Sequence, residues 1–170
     1  EGGDVLCVWL GRLAAKSGEK VLLIDADLRE PSLHKFLNSK NKNSLVEHLS
    51  GKILLNKVID SSDMTGLHVI YGRSVPNSAF DLVSSKEMEK LIDNARKSYD
   101  LIIINSPPCL FNADAKALGF CSDLLLYLVS WNKTKRDVIH KGISQFFDLP
   151  DLRKALLVSN INLQKHIAYG

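Results

Sequence analysis

Five short stretches of the chain are apolar at almost every position instead of every second one: VLLID (21–25), LHVIY (67–71), LIIIN (101–105), LLLYLV (124–129) and ALLVS (155–159). A strand without alternation has no face left for water, so these runs predict a parallel sheet covered on both sides. Amphipathic stretches lie between them. Over 84–98, Met88, Leu91, Ile92 and Ala95 recur at helical spacing, and Ser84 with Glu87 has the spacing of a capping box. Over 134–147, Val138, Ile143, Phe146 and Phe147 repeat the pattern, and Pro150 bars extension. Val5, Leu6, Trp9, Leu13 and Ala14 stripe a first helix that closes near Gly18. Strands alternating with helices predict a doubly wound α/β fold, a mostly parallel sheet with helices on both faces, in one domain over 1–170.

Composition narrows the class without choosing a function. With 45% hydrophobic and 24% charged residues, the 170-residue chain can bury a core of its own. A net charge of +3 is too small to argue for nucleic acid, which is not expected as a partner. No apolar run approaches a membrane span. Cys7, Cys109 and Cys121 lack metal-ligand spacing and read as small buried hydrophobes in a reducing compartment, which points to the cytoplasm. The five histidines (34, 48, 68, 140, 166) share no metal spacing and read as solvated or capping groups. Lys133, Lys135, Arg136 and Lys141 form a basic run, read as a wet helix face or a docking patch. Tyr71, Tyr99 and Tyr127 sit in or beside strands and read as packing residues.

Candidate chemistry lies where the strands end. Asp25 and Asp27 close the first run, Asn105 closes LIIIN before Ser106-Pro107-Pro108, and Asn160 follows ALLVS. Doubly wound sheets place their ligands at the carboxyl ends of strands. Acidic residues on such a tip suit metal–nucleotide chemistry, or they cap the loop by accepting backbone N–H groups.

These segments together resemble the cytoplasmic kinase domain of bacterial tyrosine kinases of the polysaccharide co-polymerase type, within the deviant P-loop class. VLLIDADLREPSLHKFL is similar to the family's second acidic motif, an apolar strand, Asp-x-Asp-x-Arg and a Pro-led helix. YDLIIINSPP resembles its hydrophobic strand ending in Asp-Thr/Ser-Pro-Pro. GLHVIYGRSVPNSAFDLVSSKEMEKLI matches the linking strand, the Gly-x-x-x-Pro-Asn loop and the Ser-Ser-Lys helix, and LYLVSWNKTKRDVIHKGI with LLVSNINLQ continues the likeness. The resemblance implies a P-loop fold, ATP with magnesium, and protein-tyrosine autophosphorylation. It implies further copies of the chain, and a transmembrane chain-length regulator at the inner face of the plasma membrane, as partners. By resemblance Asp25 and Asp27 are catalytic and, with Asn105, ligate magnesium; Gly2, Gly3, Asp4, Val5, Asn105 and Asn160 line the nucleotide site.

Four positions depart from the family pattern, one of them Trp9, which stands where the family usually has a small polar residue. The family's spacing back from Asp25 puts the phosphate-loop lysine at Gly3 and the magnesium-ligating Ser/Thr at Asp4, while Asn105 replaces the second Asp. The first strand and most of the phosphate loop are expected to be missing from the domain. A phosphate loop gathers backbone N–H groups and a lysine around an anion. Gly3 brings no cation, and Asp4 would put a carboxylate where the phosphate belongs. Like charges about 4 Å apart cost roughly 1 kcal/mol in water and about 4 kcal/mol at an effective dielectric near 20. The expectation is a degenerate, non-catalytic or weakly nucleotide-binding module in exopolysaccharide or capsule assembly. An active tyrosine autokinase and a partitioning-type ATPase relative are the alternatives. Arg29 is expected to pair on Glu30's side or to contact a neighbouring subunit or phosphate, and only Tyr169 stands where the family carries a tyrosine-rich tail.

Overall fold

The computed structural model describes residues 2–37, 43–62, 64–110 and 112–161; Tyr169, His166 and the last part of the family match lie outside them. A first helix, α1 (Gly3–Lys16), leads into β1 (Val21–Asp25). After α2 (Leu45–Leu49) come β2 (Ile59–Ser61) and β3 (Leu67–Ile70), then the short α3 (Ala79–Val83) and α4 (Lys86–Arg96). β4 (Leu101–Asn105), α5 (Asp114–Gly119), β5 (Leu124–Ser130), α6 (Arg136–Ser144) and β6 (Arg153–Ser159) complete the order.

Among the described residues the strands form two sheets. One has the order β2-β3-β1-β4, the other pairs β5 with β6. β1 runs parallel to β3, with Val21 opposite Leu67, and parallel to β4, with Asp25 opposite Asn105. β2 is the one antiparallel member, and β5 and β6 run parallel from Leu124–Arg153 to Ser130–Ser159. All five residues of β1 are buried, as its unbroken apolar run demands.

Each face of the larger sheet has its own core. Leu22, Ile24 and Ile70 pack against Met88, Leu91, Ile92 and Ala95 of α4, and Leu118 of α5 joins them. Val21, Leu23, Leu67 and Val69 point the other way, against Val8 and Ala15 of α1. A Cβ on Gly11 would stand 3.2 Å from Leu67 Cδ1, so this position is small because the helix lies close on the sheet.

That close approach corrects the expected face of α1. Val8, Gly11 and Ala15 are buried, whereas Trp9 and Leu13 are 69% and 63% exposed. The helix is apolar on two sides, and the small side meets the sheet. Three further expectations shift. The N-cap of α4 is Ser85, whose Oγ accepts from Met88 N at 3.2 Å, while Ser84 Oγ donates to Phe80 O. The reciprocal capping box is at α2, where Ser44 N donates to Glu47 Oε2 at 2.8 Å. α6 is shorter than 134–147; Phe146 beyond it is fully buried and Phe147 is exposed. The Pro-led helix after Arg29 is only a 3-10 turn at Leu33–Lys35.

Candidate functional site

The carboxyl ends of β1 and β4 lie side by side, and the first turns of α1 stand over them. Asp25 is fully buried there, and each of its oxygens is engaged. Oδ1 accepts from Asn105 Nδ2 at 3.0 Å, and Oδ2 accepts from the backbone N–H groups of Ser32 and Leu33, both at 3.1 Å. Burial pushes its pKa up, and these three donors pull against that shift. Asn105 turns its amide oxygen toward Cys7, whose thiol donates at 3.7 Å. Burial and the neighbouring Asp25 and Asp4 carboxylates push the Cys7 thiol up to about 12, so it stays protonated.

Gly2 opens α1 with φ 89°, a left-handed value that glycine takes without strain, and its carbonyl accepts from Leu6 N at 3.0 Å. Gly3 begins the helix. Asp4 Oδ1 accepts from Val5 N at 2.9 Å, so the carboxylate turns onto a backbone donor of the first turn of its own helix.

Asp27 shapes the turn that follows β1, its Oδ1 accepting from Arg29 N and Glu30 N at 3.1 and 2.9 Å. Arg29 does not pair with Glu30. Its guanidinium grips Asp114 at the start of α5 in a two-pronged bridge, Nε to Oδ2 at 2.8 Å and Nη2 to Oδ1 at 3.0 Å, and Nη1 donates to Pro76 O. The Asp114 side chain is 1% exposed. The planar fork of arginine matches a carboxylate far away in sequence better than its chain neighbour can. Nothing in the sequence pattern singled out Asp114; an acid in the first turn of a short helix is ordinary.

The GRSVPN loop closes over the same turn. Val75 N donates to Leu28 O at 2.8 Å and Ser74 Oγ to Arg29 O at 2.9 Å. A Cβ on Gly72 would come within 2.7 Å of the Asp25 carbonyl, so only glycine fits. Asn160 sits at the end of β6 with φ 58°, its Nδ2 donating to Ser130 Oγ at 3.1 Å. The structure thus gathers Asp4, Cys7, Asp25 and Asn105 into one cluster and Asp27, Arg29 and Asp114 into a second beside it. Asn160 belongs to the β5–β6 end. Cys7, Cys109 and Cys121 are half-buried free thiols, and among the described residues no helix is long and apolar enough to cross a membrane.

The sequence and the fold have known counterparts. A family model described as an AAA domain matches residues 5–165, which agrees in class with a sheet whose strand ends carry the polar cluster. The chain belongs to the bacterial tyrosine-protein kinases. It is 31% identical over all 170 residues to the tyrosine-protein kinase YwqD of Bacillus subtilis, covering 72% of that protein. It is 39% identical over 110 residues, 65% of this chain, to a putative tyrosine-protein kinase in the cps region of Klebsiella pneumoniae, of which the match covers 15%. The solved kinase domain of the Escherichia coli tyrosine kinase ETK superposes with a TM-score of 0.84 at 29% identity, over 90% of this chain and 60% of that one.

Proposed function

We propose that the chain is a tyrosine-kinase-like module that binds nucleotide weakly or not at all, and that it acts by docking in exopolysaccharide or capsule assembly. The observation that carries this reading is the state of Asp25, whose two oxygens are consumed by Asn105, Ser32 and Leu33 inside the protein. Asn105 presents its NH2, not its oxygen, to that carboxylate. The pair therefore offers no two adjacent oxygens to magnesium, which seeks a near-octahedral oxygen shell. At the head of α1 the Asp4 carboxylate holds the place where a helix would receive an anion, and it repels one. Losing a lysine and gaining this repulsion together lower nucleotide affinity by roughly a hundredfold or more. ATP and magnesium, which the family likeness brings, do not fit the residues as arranged. The partners in this reading are copies of the chain and a transmembrane chain-length regulator, at the inner face of the plasma membrane.

Calorimetric titration of the full-length protein with magnesium ATP tests the reading. No heat of binding is expected at micromolar nucleotide, and a micromolar Kd would end it. The alternative, an active protein-tyrosine autokinase, draws on the retained Asp25 and Asp27 and on the likeness to tyrosine-protein kinases. It requires tyrosine label from radioactive ATP that disappears in Asp25→Asn.

A further inference from the structure

We infer that the groove between α4 and α5 is a docking site for an amphipathic helix of another protein, one that enters by an apolar side and carries lysine or arginine along one flank. The inference stands apart from the proposed function, because this surface shares no residue with the Asp4, Cys7, Asp25 and Asn105 cluster.

The shape calls for a polypeptide. The groove encloses about 770 Å3, floored by Val83, Met88, Ala117 and Cys121 and rimmed by Phe80 and Phe120. Both phenylalanines stand in water, at 44% and 71% exposure. Two aromatic rings held open over an apolar floor form a contiguous patch of the kind that marks an interaction surface. With its rims in solvent, the groove would leave a small molecule half uncovered. A helix laid along it covers the floor and both rims.

Charge then sets the flank. Glu89, Asp93 and Arg96 follow one another along α4 at spacings of four and three, which brings all three to the groove wall. The cations that line the groove are already held by acids outside it. Arg96 grips Asp123, Nη1 to Oδ2 at 2.8 Å and Nη2 to Oδ1 at 3.2 Å, and Lys116 Nζ donates to Asp148 Oδ2 at 2.6 Å. Lys90 lies on the other flank of α4, beside Glu87. Glu89 and Asp93 are left over: among the described residues neither side chain makes a salt bridge or a hydrogen bond. Their field reaches the floor. Burial raises the pKa of the Cys121 thiol, and both carboxylates add to that rise against the pull of Arg96.

An occupant that was apolar alone would dry the surface around two unpaired carboxylates, which is costly. An acidic one would be repelled. Glu89 and Asp93 are one helical turn apart, so two cations one turn apart on the incoming helix meet both. Lysine and arginine also suit the rims, because their stems lie along the phenylalanine rings while their heads reach the acids.

Anisotropy titrations of the full-length protein with two labelled synthetic helices test this. Each is about fifteen residues long with leucine at helical spacing, and its polar positions are all lysine in one and all glutamate in the other. The lysine helix is expected to bind and the glutamate helix to fail. Glu89→Lys combined with Asp93→Lys should weaken the lysine helix about tenfold and let the glutamate helix bind. Phe120→Ser should weaken the lysine helix as well, while Glu87→Lys on the far flank leaves it unchanged. All four positions are exposed, and a urea melt checks that each variant is folded. The inference fails if the lysine helix does not bind, or if the double variant or Phe120→Ser binds it as well as before. It fails if Glu87→Lys costs as much as the double variant, since the attraction is then one of overall charge. It fails too if the protein self-associates in sedimentation and Phe120→Ser abolishes that, which assigns the groove to a second copy.

Discussion

The two sheets are built from similar sequence and end in different states. VLLID in β1 and LLLYLVS in β5 are both apolar throughout, but the first is wholly buried and the second has exposed leucines. β1 has a paired strand on each side and a helix layer on each face. Among the described residues β5 has one neighbour, and on one face it packs through Leu125 toward Phe146, Leu149 and Leu152. An apolar run reports what a strand is made to lie against. Whether those neighbours are there is a property of the rest of the chain.

The largest test of this contrast is truncation at matched positions. Leu23→Ala in β1 is expected to cost about 3 kcal/mol in a urea melt, while Leu126→Ala in β5 costs about 1 kcal/mol or less. Equal losses would break the comparison and show that the ribbon's exposed face is covered in the full-length protein.

Next in size is the tie between the two regions. Arg29, just after β1, holds Asp114 of α5, the helix that leads to β5. Arg29→Ala strands a carboxylate that is 1% exposed, and a clear drop in the urea midpoint is expected, smaller than that of Leu23→Ala because the arginine is partly exposed. Arg29→Lys should recover only part of it, since lysine has no fork.

The smallest effect is one of pH and belongs to the larger sheet alone. His68 of β3 meets the Tyr99 hydroxyl at 2.8 Å, and burial, then the nearby Lys20, lowers its pKa. A folded-state pKa below the unfolded one means the unfolded chain binds the proton more tightly. Stability is therefore intact above the ordinary imidazole range and falls as the pH drops through it. The urea midpoint should fall between about pH 7.5 and 5.5, and His68→Gln should flatten that dependence.

The strands were legible because length and unbroken apolarity leave few alternatives. All five anticipated runs are strands, while the short antiparallel β2 carries too few apolar residues to announce itself. The buried side of α1 was misread because bulky residues attract attention, yet Val8, Gly11 and Ala15 decide how near the helix can come. Asp25, Asp27 and Asn105 are legible as candidates from their place at strand ends. The partners are not, since Ser32 and Leu33, which donate to Asp25, and Asp114, which holds Arg29, are brought in by chain paths that no local pattern encodes.

The contact of Gly72 with the carbonyl of Asp25 has a mechanical meaning. With no side chain between them, two loops more than forty residues apart lie backbone against backbone. A side chain gained at this glycine would therefore push the GRSVPN loop and the acidic turn apart, so the position ties the shape of one loop to the shape of the other.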